Sequence, residues 1–216
     1  MIKCIAIDFD NTIAYPKGGR MRLFHILRTY GFSLKNLRVI YERSKNEGGL
    51  SADNLIRIAE EHTNTALAVS QIKKDIDNWL QNSVTCYPDT LAAFTTWKQA
   101  NIPIIIVTVG SPEFQKRKIE ISGVPYDDIV VLSGINKKSE TILSLAKRYG
   151  SCAFIDDKAS ELDAVRENGI GDEVITFRIR RRNSPYFRQK PAYKHTAISR
   201  LDHPLLLAHI SSSAHR

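Results

Sequence analysis

Four short apolar runs punctuate the chain, at residues 4–7, 102–107, 129–132 and 153–155, with a fifth at 174–179. They are rich in Ile and Val and continuous rather than alternating, which is how strands read when a parallel sheet is covered on both faces. Helical periodicity lies between them. Leu91, Phe94 and Trp97 share a face before the second run. Ser111-Pro112 is suited to cap and start a helix that ends near Gly123. Ile142, Leu145, Ala146 and Tyr149 share another face, with Gly150 as the stop signal. Strands alternating with helices predict right-handed crossovers and a doubly wound, Rossmann-like parallel α/β sheet. In such sheets ligands bind beyond the carboxyl ends of the strands.

The stretch between the first two strands is too long for one crossover and holds helical patterns of its own. Leu23, Phe24 and Leu27 form one face, closed by Gly31. Leu34, Leu37, Ile40 and Tyr41 form a second, which ends before Gly48-Gly49. Ser51 is placed to cap a third helix, with Leu55, Ile58 and Ala59 inward. Ile72, Ile76, Trp79 and Leu80 follow i, i+4, i+7, i+8 spacing. The expected organisation is an α/β core of residues 1–14 and 84–216 with a small helical domain, 15–83, inserted into it. Gly18-Gly19 and Tyr87-Pro88-Asp89 lie near the two junctions and are candidate hinges.

Composition narrows the class. The chain has 216 residues, 43% hydrophobic and 25% charged, in the range of a globular protein. Its longest nearly apolar run, 102–109, is far short of the ~20 residues that span a bilayer, so no membrane association is expected. Met1 leads straight into an apolar strand, with no basic leader region, and the three cysteines are few and widely spaced. Both features predict a cytoplasmic protein without a disulfide framework or zinc site. The net charge of +8 is local. Residues 174–201 hold eight basic residues and no acid, which equals the whole excess.

Candidate chemistry gathers at strand ends. The first strand runs into Asp8-Phe9-Asp10-Asn11-Thr12, and two carboxylates at i and i+2 point to one side of an extended chain. Held a few Å apart, they do not both stay ionised cheaply without a cation. Oxygen ligands favour a hard ion, and Mg²⁺ typically uses one or two carboxylates plus substrate phosphate. The fourth strand ends in Asp156-Asp157, a second acidic pair at the same sheet edge. The second ends in Thr108, whose hydroxyl, with the backbone N–H groups of Val109 and Gly110, is placed to donate to an anion where the next helix begins. Lys137-Lys138 precedes the helix that leads to the fourth strand.

The order of these pieces resembles the haloacid dehalogenase superfamily, in its large phosphatase branch. The pieces are D-x-D-x-T, a Thr after an apolar strand, a Lys, and an apolar strand ending in Asp-Asp. All four family motifs are present over residues 1–14 and 84–210, and the helical insert looks like the family's first-type cap. The resemblance implies that Asp8 is a nucleophile that forms an aspartyl-phosphate. It implies that Asp10 is the general acid and then the base. Mg²⁺ would be held by the Asp8 side chain, the Asp10 backbone carbonyl and the acidic pair, with Asp157 in the main position and Asp156 second. Glu161 stands where some members carry another acid. Thr108 and Lys138 would hold the phosphoryl oxygens. Lys138 is preferred to Lys137 for its helical register, with either able to serve. Asn11 replaces a common Gly and tolerates a left-handed backbone. Dehalogenating members need no acid at the position of Asp10, which argues against carbon–halogen chemistry.

The resemblance therefore implies a Mg²⁺-dependent phosphomonoesterase acting on a small phosphorylated substrate, as a monomer or homodimer. A phosphoryl transferase or mutase, and a non-catalytic phosphate- or nucleic-acid-binding module, are the alternatives. Arg180, Arg181 and Arg182 leave the fifth strand at the active-site edge and are expected to bind a second anionic group of the substrate, Arg180 first. Tyr186, Phe187 and Tyr193 interleave the basic residues, but no nucleic-acid-binding motif accompanies them, so nucleic acid is not the expected partner. Arg20, Arg22, Arg43 and Lys45 in the insert are further candidate substrate contacts.

Overall fold

The computed structural model describes residues 2–63, 67–133, 138–168 and 173–210. The chain opens with β1 (Cys4–Ile7) and β2 (Ala14–Pro16). Four helices follow: α1 (Gly19–Arg28), α2 (Leu34–Asn46), α3 (Ala52–Thr63) and α4 (Val69–Ser83). Then come β3 (Val84–Cys86), α5 (Thr90–Gln99), β4 (Ile104–Val109), α6 (Pro112–Ser122) and β5 (Asp128–Leu132). The chain continues through α7 (Lys138–Tyr149), β6 (Cys152–Asp156), α8 (Ala159–Glu167), β7 (Val174–Ile179), β8 (Thr196–Ile198) and α9 (Pro204–Ala208).

The main sheet has the order β5-β4-β1-β6-β7-β8, and every pairing in it is parallel. Alternation along β1 feeds two apolar layers. Ile5 and Ile7 pack with Phe94 and Trp97 of α5 and Ile119 of α6 on one face. Cys4 and Ala6 pack with Ile142 of α7 and Leu162 of α8 on the other. With both faces covered, the strands have no polar side to show, which explains their continuous apolar sequence. The chain runs outward from β1 through β4 to β5, then crosses back to set β6 on the other side of β1. The carboxyl ends of β1, β4 and β6 therefore meet at the reversal point, where doubly wound sheets hold ligands.

Some sequence expectations shift. The second strand spans 104–109 rather than 102–107. Pro103 has no amide hydrogen, and the ladder instead extends to the Val109–Leu132 pair. Leu91 is exposed, because the buried stripe of α5 runs through Thr90, Ala93, Phe94 and Trp97. Leu34 is exposed as well, at the first position of α2. Ser111 is the N-cap of α6 without a side-chain capping bond.

Helices α1–α4 build an apolar cluster of their own around Leu23, Phe24, Ile40, Ile58 and Ile76. The Ser51 hydroxyl accepts from the Asn54 N–H at 3.1 Å and caps α3 as expected. The Asn54 side-chain amide closes the α2–α3 turn by donating to the carbonyls of Ser44, Glu47 and Gly49. The two ends of the insertion are joined by β2 and β3, which pair antiparallel. The helices rest on α6: Phe114 belongs to their cluster and stacks on Trp79, with ring centroids 6.4 Å apart. Arg117 of α6 also grips Asp77 of α4 with two bonds, at 2.8 and 3.2 Å. Among the described residues no helix is long and apolar enough to cross a membrane.

Candidate active site

The turn after β1 is fixed by its backbone. The Asp8 N–H donates to the Ile155 carbonyl at 2.9 Å, which ties the turn to β6. The N–H groups of Ile13 and Ala14 fold back on the Phe9 carbonyl, and Asn11 takes a left-handed φ of 61°. That conformation is one Asn tolerates better than most residues. The result sets Asp8 beside Asp156 and Asp157 at the end of β6. All three are buried, each offering one carboxylate oxygen within 4.8 Å of the others.

Lys138, at the first position of α7, reaches into this group. Its Nζ donates to Asp8 Oδ1 at 2.6 Å and to Asp156 Oδ2 at 2.7 Å. Lys137 lies outside the described residues. Asp156 spends its other oxygen on the Lys158 N–H at 2.8 Å, whereas the Asp157 carboxylate accepts from the Ser184 hydroxyl. Burial pushes Asp8 up to about 7 against the pull of Lys138, with the Asp156 and Asp10 charges adding to the rise. Burial, followed by the Asp8 and Asp156 charges, pushes Asp157 up to about 8. Burial raises Asp156 too, although Lys138 opposes it. Burial disfavours the Lys138 ammonium, but Asp156 and Asp8 hold its pKa above the usual lysine range. Three buried carboxylates thus face one ammonium. A divalent cation matches the remaining charge, and the donor set, all carboxylate oxygen, suits a hard ion such as Mg²⁺.

Asp8, Asp10, Asn11, Thr108, Val109, Gly110, Lys138, Asp156 and Asp157 all line one cavity of about 680 Å³ between the sheet edge and the helical insertion. Two expectations need correction. The Gly110 N–H is already committed to the Leu132 carbonyl at 2.9 Å, a continuation of the β4–β5 ladder, and is not free for an anion. A Cβ on Gly110, at its φ of 149°, would come within 2.7 Å of the Gln115 amide nitrogen, which would have to shift. Arg180 lies outside this cavity. Its N–H pairs with the Ile198 carbonyl of β8 at 2.8 Å, and its guanidinium lies over the Phe187 ring. From the insertion, Arg20 and Lys45 line the cavity. Arg22 does not, and Arg43 is engaged by Glu47 and Glu61.

Two residues of the site were not anticipated. Lys118 brings its Nζ to both Asp10 oxygens, at 2.6 and 2.5 Å, and Gln115 donates to Asp10 at 3.2 Å and to the Val109 carbonyl at 2.9 Å. The Lys118 ammonium also lies 5.6 Å from the Phe9 ring centre and 5.8 Å from that of Phe114. The usable signal was their i, i+3 spacing on a helix that starts at the carboxyl edge of the sheet. Glu161 lines the same cavity, paired with Lys158 at 2.8 Å.

A family model for haloacid dehalogenase-like hydrolases matches residues 2–169. The chain belongs to the haloacid dehalogenase-like hydrolases. Comparison with curated proteins returns no match. Among solved structures, a haloacid dehalogenase-like family hydrolase from Xanthomonas campestris superposes with a TM-score of 0.62 at 18% identity, over 98% of this chain and 91% of its own. A predicted phosphoglycolate phosphatase from Haemophilus somnus gives 0.60 at 14%, over 96% and 98%. An L-2-haloacid dehalogenase gives 0.62 at 15%, over 97% and 99%. At these identities the likeness is one of fold. Haloacid dehalogenase-like hydrolases of this shape therefore include proteins named for phosphate and for halide chemistry, and the side chains at the rim must separate the two.

Proposed function

We propose that this hydrolase is a Mg²⁺-dependent phosphomonoesterase acting on a small phosphorylated metabolite. The observation that carries the reading is the charge surplus at the end of β1 and β6, three buried carboxylates against one lysine. Asp8, the Asp10 backbone carbonyl, Asp156 and Asp157 are the proposed holders of the ion. Of the acidic pair, Asp157 is the better main ligand, since both Asp156 oxygens already accept hydrogen bonds. When bound, Mg²⁺ supplies positive charge that offsets repulsion between the nucleophile and a phosphate dianion.

Asp8 attacks phosphorus and takes the phosphoryl group as an aspartyl-phosphate, which divides one slow hydrolysis into two faster steps. Asp10, whose carboxylate accepts from Lys118 and Gln115, is the proposed acid that protonates the leaving oxygen and then the base that takes a proton from water. Thr108 and Lys138 hold phosphoryl oxygens as charge shifts onto them. Helices α1–α4 act as a cap that shields the reaction from water and contributes Arg20 and Lys45 to the substrate's other end. An acid at Asp10, with its own lysine and glutamine, is superfluous for displacing a halide, which leaves without a proton.

A phosphate-release screen over a panel of phosphorylated metabolites, with and without Mg²⁺, tests the reading. Free phosphate should appear in step with substrate loss and disappear on chelation. Phosphoryl transfer to a second substrate without free phosphate would favour a transferase, and halide release from haloacids instead of phosphate release would overturn the proposal.

A further inference from the structure

The arginines at the end of β7 separate into two roles. Arg181 is buried. It forms two bonds of 2.8 Å with Asp89, donates to the Thr12 and Ser199 carbonyls, and lies 4.0 Å from the Tyr87 ring centre. It is a structural tie between the turn after β1 and the segment after β8. Arg180 and Arg182 are exposed, and they open onto a second recess of about 580 Å³, whose walls also include Asn183, Phe187, Ser199 and His203. Among the described residues no carboxylate lines this recess, and neither Arg180 nor Arg182 is in an ion pair. The Arg180 guanidinium lies 4.7 Å from the centre of the Phe187 ring.

We infer that this recess is an anion site separate from the catalytic cavity, for a phosphate-bearing small molecule of up to nucleotide size. Two unpaired guanidinia in a concave wall without acids concentrate positive potential, and their forked donors match phosphate oxygens. The volume is that of a small-ligand site, and Phe187 backs the Arg180 guanidinium in its wall. The 180–187 loop serves both cavities. Arg180, Arg182 and Phe187 line the recess, whereas Pro185 and Tyr186 line the catalytic cavity, and the Ser184 hydroxyl bonds Asp157. An occupant of the recess therefore binds the same loop that holds one of the buried carboxylates.

The inference does not depend on the reaction proposed above, and its test avoids turnover. The full chain carrying Asp8→Asn is titrated calorimetrically with inorganic pyrophosphate in the presence of a chelator. One saturable site is expected. Adding Arg180→Ala and Arg182→Ala should weaken it at least about tenfold, the loss of one charge-assisted hydrogen bond or more. Arg182→Glu alone should weaken it in the same direction, with the circular dichroism of both variants unchanged. Equal affinity in the substituted chains, or no saturable binding, would overturn the inference. So would binding of a single-stranded oligonucleotide but not of pyrophosphate, which would mark a nucleic-acid surface instead.

Discussion

Lys138 pairs with two buried carboxylates at once. Removing one partner of a buried ion pair commonly costs about 3–5 kcal/mol, since the other charge is left without compensation. Lys138→Met should therefore destabilise the metal-free chain by up to about that amount in urea unfolding at a pH well above 8, since Asp8 and Asp157, already raised to about 7 and 8, rise further without the ammonium and take up protons nearer neutrality, and Mg²⁺ should restore part of the loss. Unchanged stability would remove Lys138 from the electrostatics of the site. Lys118 tests the role of Asp10. Lys118→Met should lower kcat about tenfold or more for an alkyl phosphate but much less for p-nitrophenyl phosphate, whose leaving group needs little protonation. Equal losses on both would mean that Lys118 only supports the fold. The acids at the ends of β1 and β6 were legible in the sequence because charge at the end of an apolar run has few other uses. Lys118 and Gln115 were not, since their meaning depends on how α6 is rotated against Asp10. Arg180 was misplaced because its partner strand, β8, is three residues long and gives no periodic signal.

At the scale of elements, α6 joins the insertion to the sheet edge that carries Asp10. Arg117 and Asp77 are both about two-fifths exposed, so their pair contributes only a modest, salt-screened increment. The closer constraint is steric. A Cβ on Gly49 would come within 2.7 Å of the Ser111 nitrogen, just after β4. Gly48 has a similar positive φ but would meet nothing nearer than 3.7 Å. Gly49→Ala and Gly48→Ala thus carry comparable backbone strain, and only the first pushes the insertion off the rim. Gly49→Ala should lower kcat/KM several-fold more than Gly48→Ala, and matching values would show that this contact is not used. The five main strands were readable from their continuous apolar runs, and the insert helices from their 3.6-residue spacing. The three-residue strands β2 and β3 were not, because they exist only through each other.

Across the whole molecule, the buried acids couple folding to pH. Asp8 and Asp157 are raised to about 7 and 8, so the folded chain binds more protons than the unfolded one above the ordinary carboxylate range. Stability then falls as pH rises from about 4 to about 8 and levels off beyond. Thermal unfolding of the metal-free chain should show that decline. Mg²⁺ should flatten it by replacing protons in the cluster, and a metal-free Tm that climbs through this window would contradict the assignment. The overall architecture followed from the strand–helix alternation and the long gap after the first strand, and the local origin of the +8 charge was already visible. That Arg180 and Arg182 of this segment face a separate recess was not, because it depends on which way the chain turns after β7. The central claim is that Asp8, beside a divalent ion, takes the phosphoryl group itself. The most direct test is to quench turnover of p-nitrophenyl phosphate with acid and read the peptides by mass spectrometry. A phosphoryl adduct on Asp8 is predicted, dependent on Mg²⁺ and absent in Asp8→Asn. Turnover that persists in Asp8→Asn, or that proceeds with no adduct at Asp8, would contradict the account.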